Sequence, residues 1–426
     1  MKFKNNLLKT SNCTQRKFKL LLMSLLMLSV MLQSVSLTAF AATPVNASAL
    51  KTETQYERTY VATESLKVIG LSTQIKGNSI LLSNNTVKIE FTAQSNVVKI
   101  NGVEMTLDTK PYFKGAVAYV PMKFVFETMN YSVKYQSATK SIAITQNTPL
   151  MFPLTIVDSG KSYTFKTPAK RIVSLAPSIT EILFAIGAGD KVVGRTKYCA
   201  YPAEVSSITA VGTLYEPDLE AILDLEPDTV IAATHMNEDV LKTLEKAKIS
   251  TLTQASPARI AEIYTLIEQL GRLTNRTYES RALVSSMKSK EERIDNVMKG
   301  IPANQKKEVY YVVGTGKSEY TAGKQTFIHE ILVKAGCINV GSDVDKWSYS
   351  LEKLIDHNPE YLIGADYSFA TMNESVNYSS LSALKTGKTI IVNTDVFSIP
   401  GPRVIDYSMK TIVEKLYPSY VYKLRF

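Results

Sequence analysis

The amino-acid sequence predicts an α/β protein: two similar Rossmann-like lobes joined by one long helix and preceded by a small α+β accessory domain. Three observations predict it. From residue 152 onward, short apolar strand-like runs alternate with helical patterns, which implies parallel sheets with helices on their faces. Two stretches of that region repeat each other in the same order. Between the copies lies a long stretch of polar and apolar residues with helical spacing.

The chain begins with a basic leader. Lys2, Lys4, Lys9, Arg16, Lys17 and Lys19 precede an apolar run at 20–32, and Ala39-Phe40-Ala41 reads as a small-x-small cleavage site. Residues 1–41 are therefore expected to be a secretory signal peptide, with an apolar part too short for a membrane span. Cys13 lies ahead of that run, so no lipoprotein cysteine stands at the cleavage point. Removing the six leader cations from the formal charge of +10 leaves about +4 on residues 42–426, with Lys and Glu interspersed, which gives no reason to invoke nucleic acid. Cys199 and Cys337 are the remaining cysteines. They exclude a disulfide-built scaffold and read as two free thiols.

Residues 42–64, rich in Ala, Thr and Ser, read as a flexible lead-in. Residues 65–147 then form the accessory domain. Val87-Lys88-Ile89-Glu90-Phe91 and Val97-Val98-Lys99-Ile100 have strand patterning, and Asn101-Gly102 marks a turn. Residues 118–120 read as a strand, Pro121 opens a short helix with Phe124, Val125 and Met129 on one side, and two strands close the unit.

From residue 152 the two lobes are expected at 152–257 and 305–426, with the connecting helix region at 258–304. Arg171-Ile172-Val173-Ser174-Leu175 reads as a buried strand leading through Pro177 into a helix. Glu181-Ile182-Leu183, Gly187 and Val192-Val193-Gly194 return as Glu330-Ile331-Leu332, Gly336 and Asn339-Val340-Gly341. Leu219-Glu220-Ala221-Ile222-Leu223-Asp224 with Pro227-Asp228 returns as Leu351-Glu352-Lys353-Leu354-Ile355-Asp356 with Pro359-Glu360, offset by 132 residues. In the linking stretch, Tyr278, Leu283, Met287, Ile294, Val297 and Met298 fall near one helical face, with Lys288, Lys290, Glu291 and Glu292 largely off it. One helix of about 25 residues would span roughly 37 Å, a stiff strut that limits lobe closure.

Two resemblances follow from these residues. Ile100-Asn101-Gly102, the stretch 119–125 and Lys140-Ser141-Ile142-Ala143-Ile144 resemble the copper amine oxidase N-terminal-like domain, as an accessory module; no histidine precedes His235, so neither copper nor amine oxidation is implied. Residues 171–181 (RIVSLAPSITE), Tyr198-Cys199-Ala200-Tyr201-Pro202, Pro217-Asp218-Leu219-Glu220 and Tyr320-Thr321-Ala322-Gly323-Lys324 resemble the helical-backbone class of periplasmic-type binding proteins, in its cobalamin, haem and ferric-siderophore branch. The cobalamin binders are the nearest match, over about 152–420. The resemblance implies an extracytoplasmic protein, secreted or at the outer face of the cytoplasmic membrane, that captures a cobalamin-type ligand between two lobes. It would deliver that ligand as a monomer to the permease dimer of an ABC importer. It also implies ligand contacts at Tyr198, Tyr215, Tyr320, Trp347, Phe397 and Arg403, and docking by Glu220 and Glu352. The family's aromatic near residue 233 is replaced by Ala233-Thr234.

Rival readings lie within the same fold and outside it. His235 or Met236 would suit haem iron, and Arg195 or Arg403 an anionic ferric siderophore. His235, His329 and His357 form no close-spaced metal set. Ser174, Ser178 and Ser398 lack a nucleophile-elbow setting, and Gly314-Thr315-Gly316-Lys317 has the wrong spacing for a phosphate loop, so catalysis and a bound cofactor are not expected. A surface adhesin without small-ligand transport is the reading from a different class; tight binding of a small coloured ligand separates the two.

Overall fold

The runs that read as continuously apolar are buried on both sides, as strands inside a helix-covered parallel sheet must be. The computed structural model describes residues 44–424 apart from 137, 149–150, 234–236 and 317. The predicted signal peptide, Thr234, His235, Met236 and Lys317 therefore lie outside the described residues. No helix among those described is long and apolar enough to cross a membrane.

In the first lobe, Ile172–Ser174 sits at the centre of a five-stranded parallel sheet. The order is Thr209–Ala210, Val192–Arg195, Ile172–Ser174, Thr229–Ala233, Ser250–Gln254. The second lobe repeats the order of four of these strands, all but the edge strand Thr209–Ala210: Ile338–Asn339, Glu308–Tyr311, Tyr361–Gly364, Thr389–Ile391, again parallel. The internal repeat thus has identical strand topology in both copies. Its punctuation is repeated too. Helices Pro177–Ala185 and Phe327–Lys334 both stop before a glycine of positive φ, Gly187 at +72° and Gly336 at +89°. The next amides, of Ala188 and Cys337, reach back to the carbonyls of Leu183 and Leu332, the closure that an αL glycine permits.

The linking stretch forms two helices, Ile260–Leu273 and Thr277–Lys299. The second, of 23 residues, is about 35 Å long. Val284, Met287, Ile294 and Met298 are buried in one hydrophobic core with side chains of both lobes, including Ile179, Ile328 and Ile405.

The accessory segment is built from three antiparallel sheets. A five-stranded meander runs Ser72–Lys76, Ser79–Ser83, Lys88–Thr92, Val97–Ile100, Val103–Thr106, and its fourth hairpin turns at Asn101-Gly102, both at positive φ as a tight two-residue turn requires. The lead-in expected to be flexible is folded. Thr52–Gln55 pairs with Arg58–Ala62, which pairs with Val117–Pro121, and Tyr60, Val61 and Ala62 are buried. Its Ala-, Thr- and Ser-rich composition hid the apolar run Tyr60-Val61-Ala62, which is buried in this sheet.

The connecting helix also departs from expectation. The polar side of the helix, which the sequence places off the apolar face, is not left bare. Instead the accessory module covers it: Ala282 is buried in the module's core, and Tyr278, expected on the face of Met287, packs there as well. Ser285 donates to Glu127, Ser286 to the Thr106 carbonyl, and Arg293 to Asp108, which also binds Arg58.

Candidate functional site: the aromatic loops of the two lobes

In open parallel sheets, ligands lie beyond the carboxyl ends of the strands, where loops carry variable side chains over a rigid base. The predicted residues fall on those loops. Beyond Val192–Arg195 the chain presents Tyr198 and Tyr201, and beyond Thr209–Ala210 it presents Tyr215, all three exposed. The Lys197 amide donates to the Gly212 carbonyl at 3.0 Å and ties these loops together. Beneath them a buried polar chain anchors the first loop. Ser174 Oγ lies 2.8 Å from Thr180 Oγ1, which donates to Cys199 Sγ at 3.1 Å, with Thr196 Oγ1 at 3.3 Å on the other side. Ser174 and Cys199 are thus spent on structure; Cys199 and Cys337 are free thiols and buried.

In the second lobe, Tyr320 lies on a small antiparallel ribbon of Glu319–Tyr320 and Ser348–Tyr349, and Trp347 immediately precedes its second strand. The Thr321 amide donates to the Trp347 carbonyl at 2.8 Å. Both aromatic side chains are partly open to solvent. Glu319 lies under the ribbon, accepting from Tyr378 at 2.5 Å, and burial raises its carboxyl above the usual range. Tyr367, beyond Tyr361–Gly364, is exposed in the equivalent place and was not singled out from the sequence.

Phe397 corrects the expectation. It is 0% exposed, stacked on Tyr311 at 6.0 Å and edge-on to Tyr407 at 6.1 Å. It is a core aromatic and has no surface to offer a ligand. Arg195 is also committed elsewhere: its guanidinium donates to the carbonyls of Val205, Ile208 and Thr196, bracing the loop of Tyr201. His329 lies 3.0 Å from the Asn339 amide, and no group of three metal-ligating side chains occurs among the described residues.

The lobes meet at Arg403. Its guanidinium makes a bidentate pair with Glu181 of the first lobe, with Nε 2.9 Å from Oε2 and Nη2 on Oε1. The Tyr201 ring lies 4.0 Å from its central carbon. Burial raises the Glu181 carboxyl, and Arg403 opposes that rise. An open cavity of about 730 Å³ adjoins the pair, walled by Phe184, Tyr201, Leu283, Met287, Arg403 and Tyr407, with Met105 and Thr106 of the accessory module also in its wall. Tyr198, Tyr215, Tyr320 and Trp347 are not in its wall. The sequence did not reveal Glu181 as Arg403's partner; the signal was a carboxylate amid Ile179, Ile182 and Leu183, which requires a buried partner.

Glu220 and Glu352 occupy matching places in the first turns of Leu219–Asp224 and Leu351–His357. These helices are capped alike, Asp218 accepting from the Ala221 amide and Ser350 from the Lys353 amide, each at 3.1 Å. Both glutamates are exposed, and neither has an ion-pair partner among the described residues.

Comparison with known proteins agrees with this architecture. Residues 172–394 match the family described as periplasmic binding protein, and residues 46–144 match the copper amine oxidase N-terminal domain. An uncharacterized ABC transporter substrate-binding lipoprotein of Bacillus subtilis is 34% identical over 275 residues, 63% of this chain and 87% of the relative. A cobalamin-binding protein of Halobacterium salinarum is 28% identical over 271 residues, 60% of this chain and 72% of the relative. The crystal structure of a possible iron-binding (periplasmic solute-binding) protein from Staphylococcus epidermidis superposes with a TM-score of 0.51 at 28% identity, covering 59% of this chain and all of that one. The Bacillus relative is named a lipoprotein, which does not fit the absence of a cysteine at the cleavage point read here.

Proposed function

The chain belongs to the periplasmic binding protein family, the substrate-binding proteins of ABC importers, and on that premise we propose that it captures a cobalamin-type ligand between its lobes. The observation that carries this reading is the set of exposed aromatics on strand-end loops of both lobes: Tyr198 and Tyr215 from one, Tyr320 and Trp347 from the other. A corrin is a broad apolar face edged by amides. Flat, rigid aromatic side chains cover such a face with little loss of conformational freedom, and a few polar groups orient its rim. The relative named a cobalamin-binding protein supports the same choice.

The two arginines weighed for an anionic ferric siderophore are both engaged. Arg195 is spent on backbone carbonyls and Arg403 on Glu181, so neither guanidinium is free to meet ligand oxygens. For haem, the candidate axial ligands His235 and Met236 lie outside the described residues. Delivery follows from the repeat: two matching exposed carboxylates, Glu220 and Glu352, suit a monomer docking on a permease of two identical subunits, where rim charges set encounter and register.

Titration of the full chain with cyanocobalamin tests the site. Tyr198→Ala, Tyr320→Ala and Trp347→Ala are each expected to weaken binding by about tenfold, roughly the 1.4 kcal/mol expected of one lost aromatic wall. Unchanged affinity in all three variants overturns the assignment.

A further inference from the structure

The accessory module does more than sit beside the lobes. Lys290, on the connecting helix, has a side chain only 3% exposed. Its ammonium lies 2.7 Å from Thr106 Oγ1 of the module and 2.7 Å from Asp406 Oδ2 of the second lobe. Asp406 stands three residues beyond Arg403 on the helical segment Val404–Met409, and Arg403 holds Glu181 of the first lobe. A charge-assisted path therefore runs from the module through the connecting helix to the residue where the lobes meet. The module touches the first lobe as well: a Cβ at Gly187 would stand 2.4 Å from Val103 Cγ2. Strand Val103–Thr106 thus contacts the first lobe at one end and Lys290 at the other.

We infer that the module is a built-in part of the hinge, and that Lys290 is a positioning residue. By holding Asp406 against the module, it fixes the segment carrying Arg403 and so sets how the lobes are held for capture. A buried ammonium keeps its charge only where oxygens surround it. Removing the module's share of that shell loosens the lobe-two segment as well as the module. The inference about the hinge stands on the geometry alone; its effect on capture rests on the function proposed above.

The test uses the full chain and two variants. Thr106→Val keeps the shape of a module residue and removes its oxygen; Lys290→Met keeps the length of the side chain and removes the charge. Hydrogen exchange without ligand is read over 404–409, a segment of the second lobe. Both variants should accelerate exchange there by about fivefold or more, with Lys290→Met at least equal to Thr106→Val, whereas Lys99→Ala on the module's exposed hairpin should not. Faster exchange confined to 103–106, with 404–409 at the wild-type rate in both variants, overturns the inference. Cyanocobalamin affinity is read in parallel, with about a tenfold loss expected for Lys290→Met. If the wild type fails to bind cyanocobalamin, the ligand assignment fails, and the exchange result still decides the hinge.

Discussion

Arg403→Met isolates what the junction between the lobes contributes. In the wild type, Glu181 is 4% exposed and Arg403 23%, joined by two parallel charge-assisted hydrogen bonds. Two unit charges about 4 Å apart attract by about 4 kcal/mol at an effective dielectric of 20, but both were desolvated to meet, so the net worth of the pair is far smaller. Removing only the guanidinium leaves the Glu181 carboxylate buried without its partner, which costs about 3–5 kcal/mol. At about 2 °C per kcal/mol for a chain of this size, the melting temperature should fall by about 6–10 °C. Glu181→Leu alone should cost less, because Arg403 already borders the cavity and its head can turn to water. The double variant, Glu181→Leu with Arg403→Met, replaces the pair by apolar side chains and should be more stable than Arg403→Met alone. Thermal melting and urea unfolding of the four proteins complete the cycle, with a coupling of at least about 1.5 kcal/mol expected. Simple additivity of the two single variants refutes the claim that this bidentate pair holds the lobes together.

Three further outcomes follow from the same geometry. Trp347 is the only tryptophan in the sequence, and it is exposed on the loops of the second lobe, so saturating cobalamin should quench most of its emission; undiminished emission with binding confirmed by another method removes Trp347 from the site. Glu220→Arg combined with Glu352→Arg should abolish uptake by cells while ligand titration and melting stay nearly as in wild type, since both side chains are exposed and their contribution to helix stability is only about 0.3–1 kcal/mol each; normal transport by the double variant rejects the docking role. Burial, opposed by Arg403, raises the Glu181 carboxyl above its ordinary 4.5, so the folded state binds this proton more tightly than the unfolded chain does: the stabilisation from protonation is full below the unfolded value and is lost as pH rises through the folded one. The melting temperature of the wild type relative to Glu181→Gln should therefore improve on acidification from neutral toward about 4.5, and a change of the opposite sign contradicts the burial argument.

The lobes were legible because repeated apolar text carries its own punctuation. Gly187 and Gly336 close equivalent helices, and Asp218 and Ser350 cap equivalent ones, so local chemistry and topology agree. The second face of the connecting helix was not legible. Glu279, Lys290 and Arg293 are each buried against a partner distant in sequence, which local spacing cannot reveal: Asn101 for Glu279, Thr106 and Asp406 for Lys290, Asp108 for Arg293. The local hint was the run of small residues among those charges, Ala282, Ser285 and Ser286, which leaves room for a neighbour. Loop aromatics were legible by position and not by environment. Tyr198, Tyr215, Tyr320 and Trp347 are exposed, whereas Phe397 fills the core against Tyr311, because no periodicity in a loop tells inside from outside.

The central claim is most directly tested by equilibrium absorbance titration of the full chain with cyanocobalamin, haem and a ferric siderophore under one set of conditions. Cyanocobalamin is expected to bind saturably at one to one, and neither of the other ligands to displace it at equal concentration. Stoichiometric binding of haem or the siderophore, with cyanocobalamin unable to compete, would contradict that claim.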